Sequence, residues 1–496
     1  MEQNLTQQPT EETQKATGFK REITLFDAIM IVTGGMIGSG IFIVTADISR
    51  AVVTPANMLL VWVVSGFLTI VGAISYGELS SMFPKVGGQY VYLKEAYNKL
   101  VAFLYGWSLF LVIQTGVIAA VGVAFAKFTG VIFPWFSDSN ILFSIGSFNF
   151  SSVQLLAILS IVYLTYINSR GVKSGKLIQN IFGSTKIIAL FGLILAGLLF
   201  GVNETAIQAN FSDFWGSQVA TDGTALLPPV GVALITAIGM AMVGALFSAD
   251  SWNNIGFSGD EIVNPKRTIV LSMVIGSALV TGIYLLINIV YLLVLPMHGS
   301  AAATDVLGQG ITFASNDRVA AAVAEVIGGS KATIAIAVLI MISTFGCNNG
   351  AILSGARVYY AIAKDGLFFE KMGRLNKNGV PAAALWLQCI WGCLLCLSGS
   401  YNDLLDYVIF TVMLFYILTI IGVFILRVKR PDLPRPYKAY GYPVLPAMYV
   451  LLASAICIIL LIYKPLYTWP GLIIVALGIP VYYFFGSKFS GQQSSE

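Results

Sequence analysis

Charge is scarce in this chain: 24 acidic and 28 basic residues in 496, or 10%. A soluble domain carries roughly 25%, so a soluble fold is excluded. With 57% hydrophobic residues and a mean hydropathy of +0.82, the chain reads as a polytopic membrane protein. Histidine is nearly absent. The one residue, His298, falls in a loop after an apolar run, which removes hydrolytic chemistry built on histidine. The apolar segments carry no nucleophile–base pair, so an enzyme is not expected. Cysteine is sparse: Cys347, Cys389, Cys393, Cys396 and Cys457 all lie in apolar stretches, and no disulfide framework is implied. Cys389, Cys393 and Cys396 share a helix face without a nearby histidine, so they read as packing residues and not as a metal site. No cofactor and no nucleic-acid partner are expected. Met1 to Lys15 is polar, a short tail and not a cleaved signal peptide.

What is there is length of apolar sequence. About twelve runs approach or reach the roughly 20 residues a spanning helix needs. They lie near 26–48, 56–83, 100–127, 152–168, 177–201, 230–258, 268–295, 332–363, 381–398, 404–427, 443–463 and 467–486. A polar, amphipathic stretch, Pro84 to Asn98, follows the second. With the N-terminus inside, 22 lysines and arginines fall in inside stretches and 5 (Arg50, Lys127, Arg318, Lys331, Lys464) outside. The positive-inside rule then puts both termini in the cytoplasm, as an even number of segments requires.

The first segment holds Gly34-Gly35-Met36-Ile37-Gly38-Ser39-Gly40. Each glycine costs a helix roughly 1 kcal/mol relative to alanine, so a break is expected there. In a membrane, broken backbone survives where protein buries it or where it lines a watery cavity. The free N–H groups of such a break can hold an anion near the midplane. Gly34 and Gly38 also form a GxxxG, which by itself signals only close helix approach. A phosphate-cradling loop is set aside, since no strand precedes it. The sixth segment mirrors the first: Val230 to Leu246 gives way to Phe247-Ser248-Ala249-Asp250-Ser251-Trp252-Asn253-Asn254. Ser, Asp and Asn compete with the helix for its backbone. Breaks in segments one and six predict two inverted five-helix repeats with a site between them.

Few ionisable groups lie at membrane depth. Lys186 sits roughly 9 residues into its helix, about 13 Å deep, and needs a partner or a function. It reads as a fixed cation beside the first break, in place of a coupling sodium ion; a proton carrier is the other reading. Asp250 is open between capping a half-helix, pairing with a cation, gating, and contacting a substrate amine. Glu78, Asp260 and Glu261 are expected to lock a cytoplasmic gate with basic partners. Phe247 and Trp252 are candidate lids, and Asn253 and Thr33 candidate polar contacts. Asn348 and Asn349 are expected to hydrogen-bond between helices.

Several motifs together resemble a known family. They are Gly34 to Phe42; Tyr76-Gly77-Glu78-Leu79 with Pro84 to Tyr90; Phe247 to Asn254 with Asp260 to Arg267; Phe345 to Gly350; and Arg430 to Lys438. The chain is similar to amino acid permeases of the amino acid–polyamine–organocation superfamily, close to the L-type amino acid transporter branch. The likeness covers about 22–465. It implies that backbone N–H groups of Ile37, Gly38, Ser39 and Gly40 take a substrate α-carboxylate. It implies that carbonyls around Phe247, Ser248 and Ala249 take the α-amine, that Phe247 is a gating aromatic, and that Asn253 is a substrate-side asparagine. Lys186 matches the lysine of sodium-independent members. Ser248-Ala249 and Ser251 depart from the family's usual Ala-Tyr and Gly. Animal light chains carry a cysteine between segments three and four; Phe128 to Ser152 has none, so a disulfide-linked heavy chain is not expected.

The expectation is therefore an all-α, twelve-helix membrane protein of the five-plus-five inverted-repeat, LeuT-like fold, with helices 1 and 6 broken. Residues 1–21 form a cytoplasmic tail, 22–201 the first repeat, 202–427 the second, 428–486 two peripheral helices and 487–496 a second tail. It is read as a sodium-independent exchanger of neutral amino acids in the bacterial inner membrane, a monomer or weak homo-oligomer in the lipid bilayer. A proton-coupled or cationic amino acid or polyamine carrier is the alternative within the class, and a membrane amino acid sensor the one outside it.

Overall fold

Segment 1 begins where Thr24 and Asp27 form a reciprocal capping box, and α1 runs Leu25–Met36. After the break, α2 runs Gly40–Val52, and the two are bent by 43°. The computed structural model describes residues 21–85, 87–146, 148–171, 175–398 and 401–490. Thr54 caps the next helix and Pro55 opens it, so α3 (Pro55–Met82) is segment 2. The amphipathic stretch holds α4 (Gln89–Ala96). Segment 3 is α5 (Lys99–Ser108) joined by a π turn, Leu109–Ile113, to α6 (Gln114–Ile132). Segments 4 and 5 are α7 (Ser152–Ser169) and α8 (Gly175–Ala196, with a π turn to Gly201). A sharp 102° corner leads to the short α9 (Glu204–Phe211).

Segment 6 opens with α10 (Val232–Ser248) and resumes after its break as a 3₁₀ turn, Asn254–Glu261. Segment 7 is α11 (Pro265–Val294), and α12 (Val306–Gln309) is a single turn in the loop after it. Segments 8 to 12 are α13 (Val319–Lys364), α14 (Ala382–Leu395), α15 (Tyr401–Lys429), α16 (Val444–Tyr463) and α17 (Pro465–Ser490). Eight of these helices are long and apolar enough to cross a bilayer unaided. The bent first segment, α8 and the shorter apolar α10 and α14 complete the twelve.

Packing follows the predicted symmetry. α3 lies along α11, α6 along α13, and α2 along α10. Each pair joins corresponding members of the two five-segment units. The α2–α10 approach is close enough to require glycine on both sides: a methyl on Gly40 would meet Ser248 Oγ at 2.1 Å, and one on Gly244 would meet Val44 Cβ at 2.9 Å.

Three features depart from the sequence reading. Segment 8 was expected to start near 332, but α13 begins at Val319 and bends at Gly328 and Gly329, the latter at φ +61°. The extra turns are alanine-rich, which favours helix without a long apolar run. Two small hairpins, β1 (Ile141–Ile145) with β2 (Phe148–Ser151) and β3 (Gln218–Val219) with β4 (Ala225–Leu226), sit in loops that showed no strand signal.

Candidate functional site

The first break is a turn with its own hydrogen bonds. Ile37 takes φ −73°, ψ 86°, an inverse γ-turn, and Gly38 N–H reaches back to the Met36 carbonyl at 2.8 Å. Ile37 N–H donates to the Thr33 carbonyl at 2.9 Å. Two of the four predicted anion-binding N–H groups are therefore occupied. The groups that open α2 lie one step on, at Ser39, Gly40 and Ile41, where a helix leaves its first N–H groups unpaired. Thr33, a candidate ligand contact, instead turns its hydroxyl onto Ile29 O at 2.9 Å. Lys186 is 2% exposed and donates Nζ to the Gly34 carbonyl at 2.6 Å, beside the first break.

The second break starts at Ser248. Ala249 and Asp250 close the last turn of α10 with N–H bonds to Ala245 and Phe247 carbonyls, and Ser251 adopts φ +73°. One side chain ties the two breaks together. Tyr284 Oη, on α11, lies 2.9 Å from Met36 O and 3.0 Å from Ser248 O, the carbonyls that end α1 and α10. A phenol has one hydrogen, so it satisfies one carbonyl at a time. The Phe247 carbonyl of the predicted amine site thus already accepts a hydrogen bond from Asp250 N–H, and the Ser248 carbonyl shares the single Tyr284 hydrogen with Met36 O.

A cavity adjoins the second break, lined by Gln89, Tyr105, Gln114, Asp250, Asn253 and Tyr416 among others. Tyr416 Oη donates to Asp250 Oδ1 at 2.6 Å and lies 3.2 Å from Asn253 Oδ1. Asn253 Nδ2 donates to Gln89 Oε1 at 3.3 Å, and Gln89 Nε2 to Thr419 at 3.0 Å. Among the described residues, Asp250 is therefore held by a hydroxyl and has no cation partner. Trp252, a candidate lid, is 2% exposed and packed edge-on against Tyr76; it is core.

The amino acid permease family model matches residues 23–485. The chain belongs to the amino acid permease family. The b(0,+)-type amino acid transporter 1 of Mus musculus is 28% identical over 95% of this chain and 88% of its own. The Large neutral amino acids transporter small subunit 2 of Homo sapiens is 30% identical over 94% of this chain and 80% of its own. The permease is a multi-pass membrane protein that transports amino acids; it is not an enzyme.

Both sides of the permease's breaks are fastened. Phe247 packs edge-on against Tyr401 at 6.2 Å, and Tyr401 Oη meets Ser39 Oγ at 2.9 Å. On the other side, Glu78 (1% exposed) receives Arg427 at 2.9 and 2.6 Å, with Arg435 at 3.4 Å and the Ala439 N–H at 2.8 Å. Glu261 pairs with Arg357 at 3.2 Å; the Asp260 side chain lies outside the described residues. Asn349 bonds Asn168 across helices at 2.8 Å, as expected. Asn348 departs from expectation, because its buried Oδ1 has no partner among the described residues. Sequence reasoning missed Tyr284, Tyr416 and Cys347, whose Sγ lies 3.6 Å from Gly35 O. The two tyrosines sit in apolar runs, where a tyrosine gives no signal beyond packing. Gln89 and Cys347 stood inside quoted motifs but received no role.

Proposed function

We propose that the permease exchanges neutral amino acids without sodium, binding them between the two broken helices. The observation that carries this is the Lys186 ammonium on the Gly34 carbonyl, 2.6 Å away and buried. A fixed positive charge at the C-terminal end of α1 does the electrostatic work a bound sodium ion would do there. The substrate α-carboxylate sits on the N–H groups of Ser39, Gly40 and Ile41, one step from the Ile37–Gly40 set. Its amine faces the carbonyl ends of α1 and α10, where it competes with Tyr284. Asn253 and Asp250 then border the space for the side chain, with Asp250 acting in gating through Tyr416. Phe247 and Tyr401 close the outer side. A neutral substrate is also supported by the human relative, named for large neutral amino acids.

A second reading is a carrier of cationic amino acids, favoured by Asp250 lining the cavity with a hydroxyl as its partner. Competition separates the two. Uptake of labelled leucine into liposomes is expected to fall with excess alanine or isoleucine, to ignore arginine, and to be the same in sodium and choline. Equal competition by arginine would put the cationic carrier in its place.

The absence of cysteine from Phe128 to Ser152 supports a chain that works without a disulfide-linked partner, although the human relative is named a small subunit. It is also what supports a bacterial inner membrane as the setting. The relatives named above are mammalian. The lysine and arginine distribution supports termini in the cytoplasm.

A further inference from the structure

The outer end of α2 is held by the chain's single histidine. Val53 follows α2 at φ +60°, ψ −44°, and Thr54 N–H bonds back to the Val52 carbonyl at 2.6 Å. That is the positive-φ form of the γ-turn, a rare and strained one, and a β-branched residue is the wrong occupant for it. His298, 7% exposed in the loop after α11, points Nε2 at the Val53 carbonyl. A carbonyl only accepts, so Nε2 carries the hydrogen and the tautomer is assigned. Nδ1 faces Thr312 Oγ1 at 3.2 Å, and the same hydroxyl lies 2.7 Å from Met297 O. Thr312 belongs to the same latch. Its hydroxyl meets Ser49 of α2 at 3.2 Å, and its carbonyl takes Arg50 of α2 at 2.8 Å.

We propose that His298 is a positioning residue for substrate binding: it pins the Val53 turn, and through α2 it fixes the N–H groups of Ser39 to Ile41 at the other end. The inference rests on the substrate site proposed above. α2 has 13 residues, so it is a rigid lever of about 20 Å. A turn that relaxed at Val53 would shift the anion-binding end against α10, where Gly40 leaves no spare room beside Ser248.

The test compares wild type with His298→Ala, His298→Gln and the double variant His298→Ala/Val53→Gly. Each is read by KM for labelled leucine exchange in liposomes and by amide hydrogen exchange over 40–54. His298→Ala is expected to raise KM about fivefold, the scale of one lost hydrogen bond, and to deprotect 40–54. Glutamine can still donate to the Val53 carbonyl and should restore both. Glycine accepts the positive φ without strain, so the double variant should also recover. An unmoved KM and exchange in His298→Ala, or a His298→Gln variant that restores neither, overturns the proposal. Deprotection with an unmoved KM would keep the latch and overturn the substrate site it is meant to serve.

Discussion

Gly40 shows how a single residue carries both packing and binding. It opens α2, so its N–H points into the break, and it lies against Ser248 so closely that a methyl would sit 2.1 Å from Oγ and 3.0 Å from Cα. Overpacking of this kind costs about 1–3 kcal/mol, and Gly40→Ala should cut leucine exchange roughly tenfold with expression retained. Gly34 has no such neighbour, its nearest approach being Gly183 Cα at 3.8 Å. Gly34→Ala should stay close to wild type, and equal loss from both would mean that helix flexibility, not contact with α10, explains the glycines. The breaks were legible because glycine and short polar side chains stand out in apolar sequence. Lys186 was legible for the same reason. Tyr284 was not: its importance comes from two carbonyls that end helices far away in the chain, Met36 and Ser248. Nor could the sequence show that Ile37 and Gly38 use their own N–H groups within the turn.

Among the elements, the fastening of α3 to α15 has the clearest chemistry. Glu78 of α3 is buried and takes Arg427 of α15 through both carboxylate oxygens. The Arg427 guanidinium also lies 3.6 Å over the Tyr442 ring. Removing one partner of a buried pair strands the other charge and costs about 3–5 kcal/mol. Glu78→Gln should therefore lower the melting temperature of the purified permease in detergent. A variant that melts with wild type would show that the pair holds nothing. The acidic residues of this lock were legible as ionisable groups at a helix end, but their partners were not, since Arg427 lies 349 positions away. The helices themselves were read from apolar runs, because each run maps onto one crossing. The two hairpins escaped, because strands of two to five residues in a loop leave no periodic pattern.

Over the whole molecule, two five-segment units meet along α3–α11, α6–α13 and α2–α10, and the breaks fall where the units face each other. That arrangement followed from the position of the two interruptions alone, since broken backbone at depth needs a protein-lined interface. The amino acid came from resemblance and then from the family match, because a helix end binds any small anion. The central claim is that Lys186 is a fixed charge and that substrate on one side drives substrate on the other. The direct measurement is labelled leucine uptake into liposomes, with and without internal unlabelled leucine, and with and without an inward proton gradient. Uptake that requires internal leucine and ignores the gradient is the predicted result. Gradient-driven uptake into empty liposomes would contradict it and make Lys186 a proton carrier.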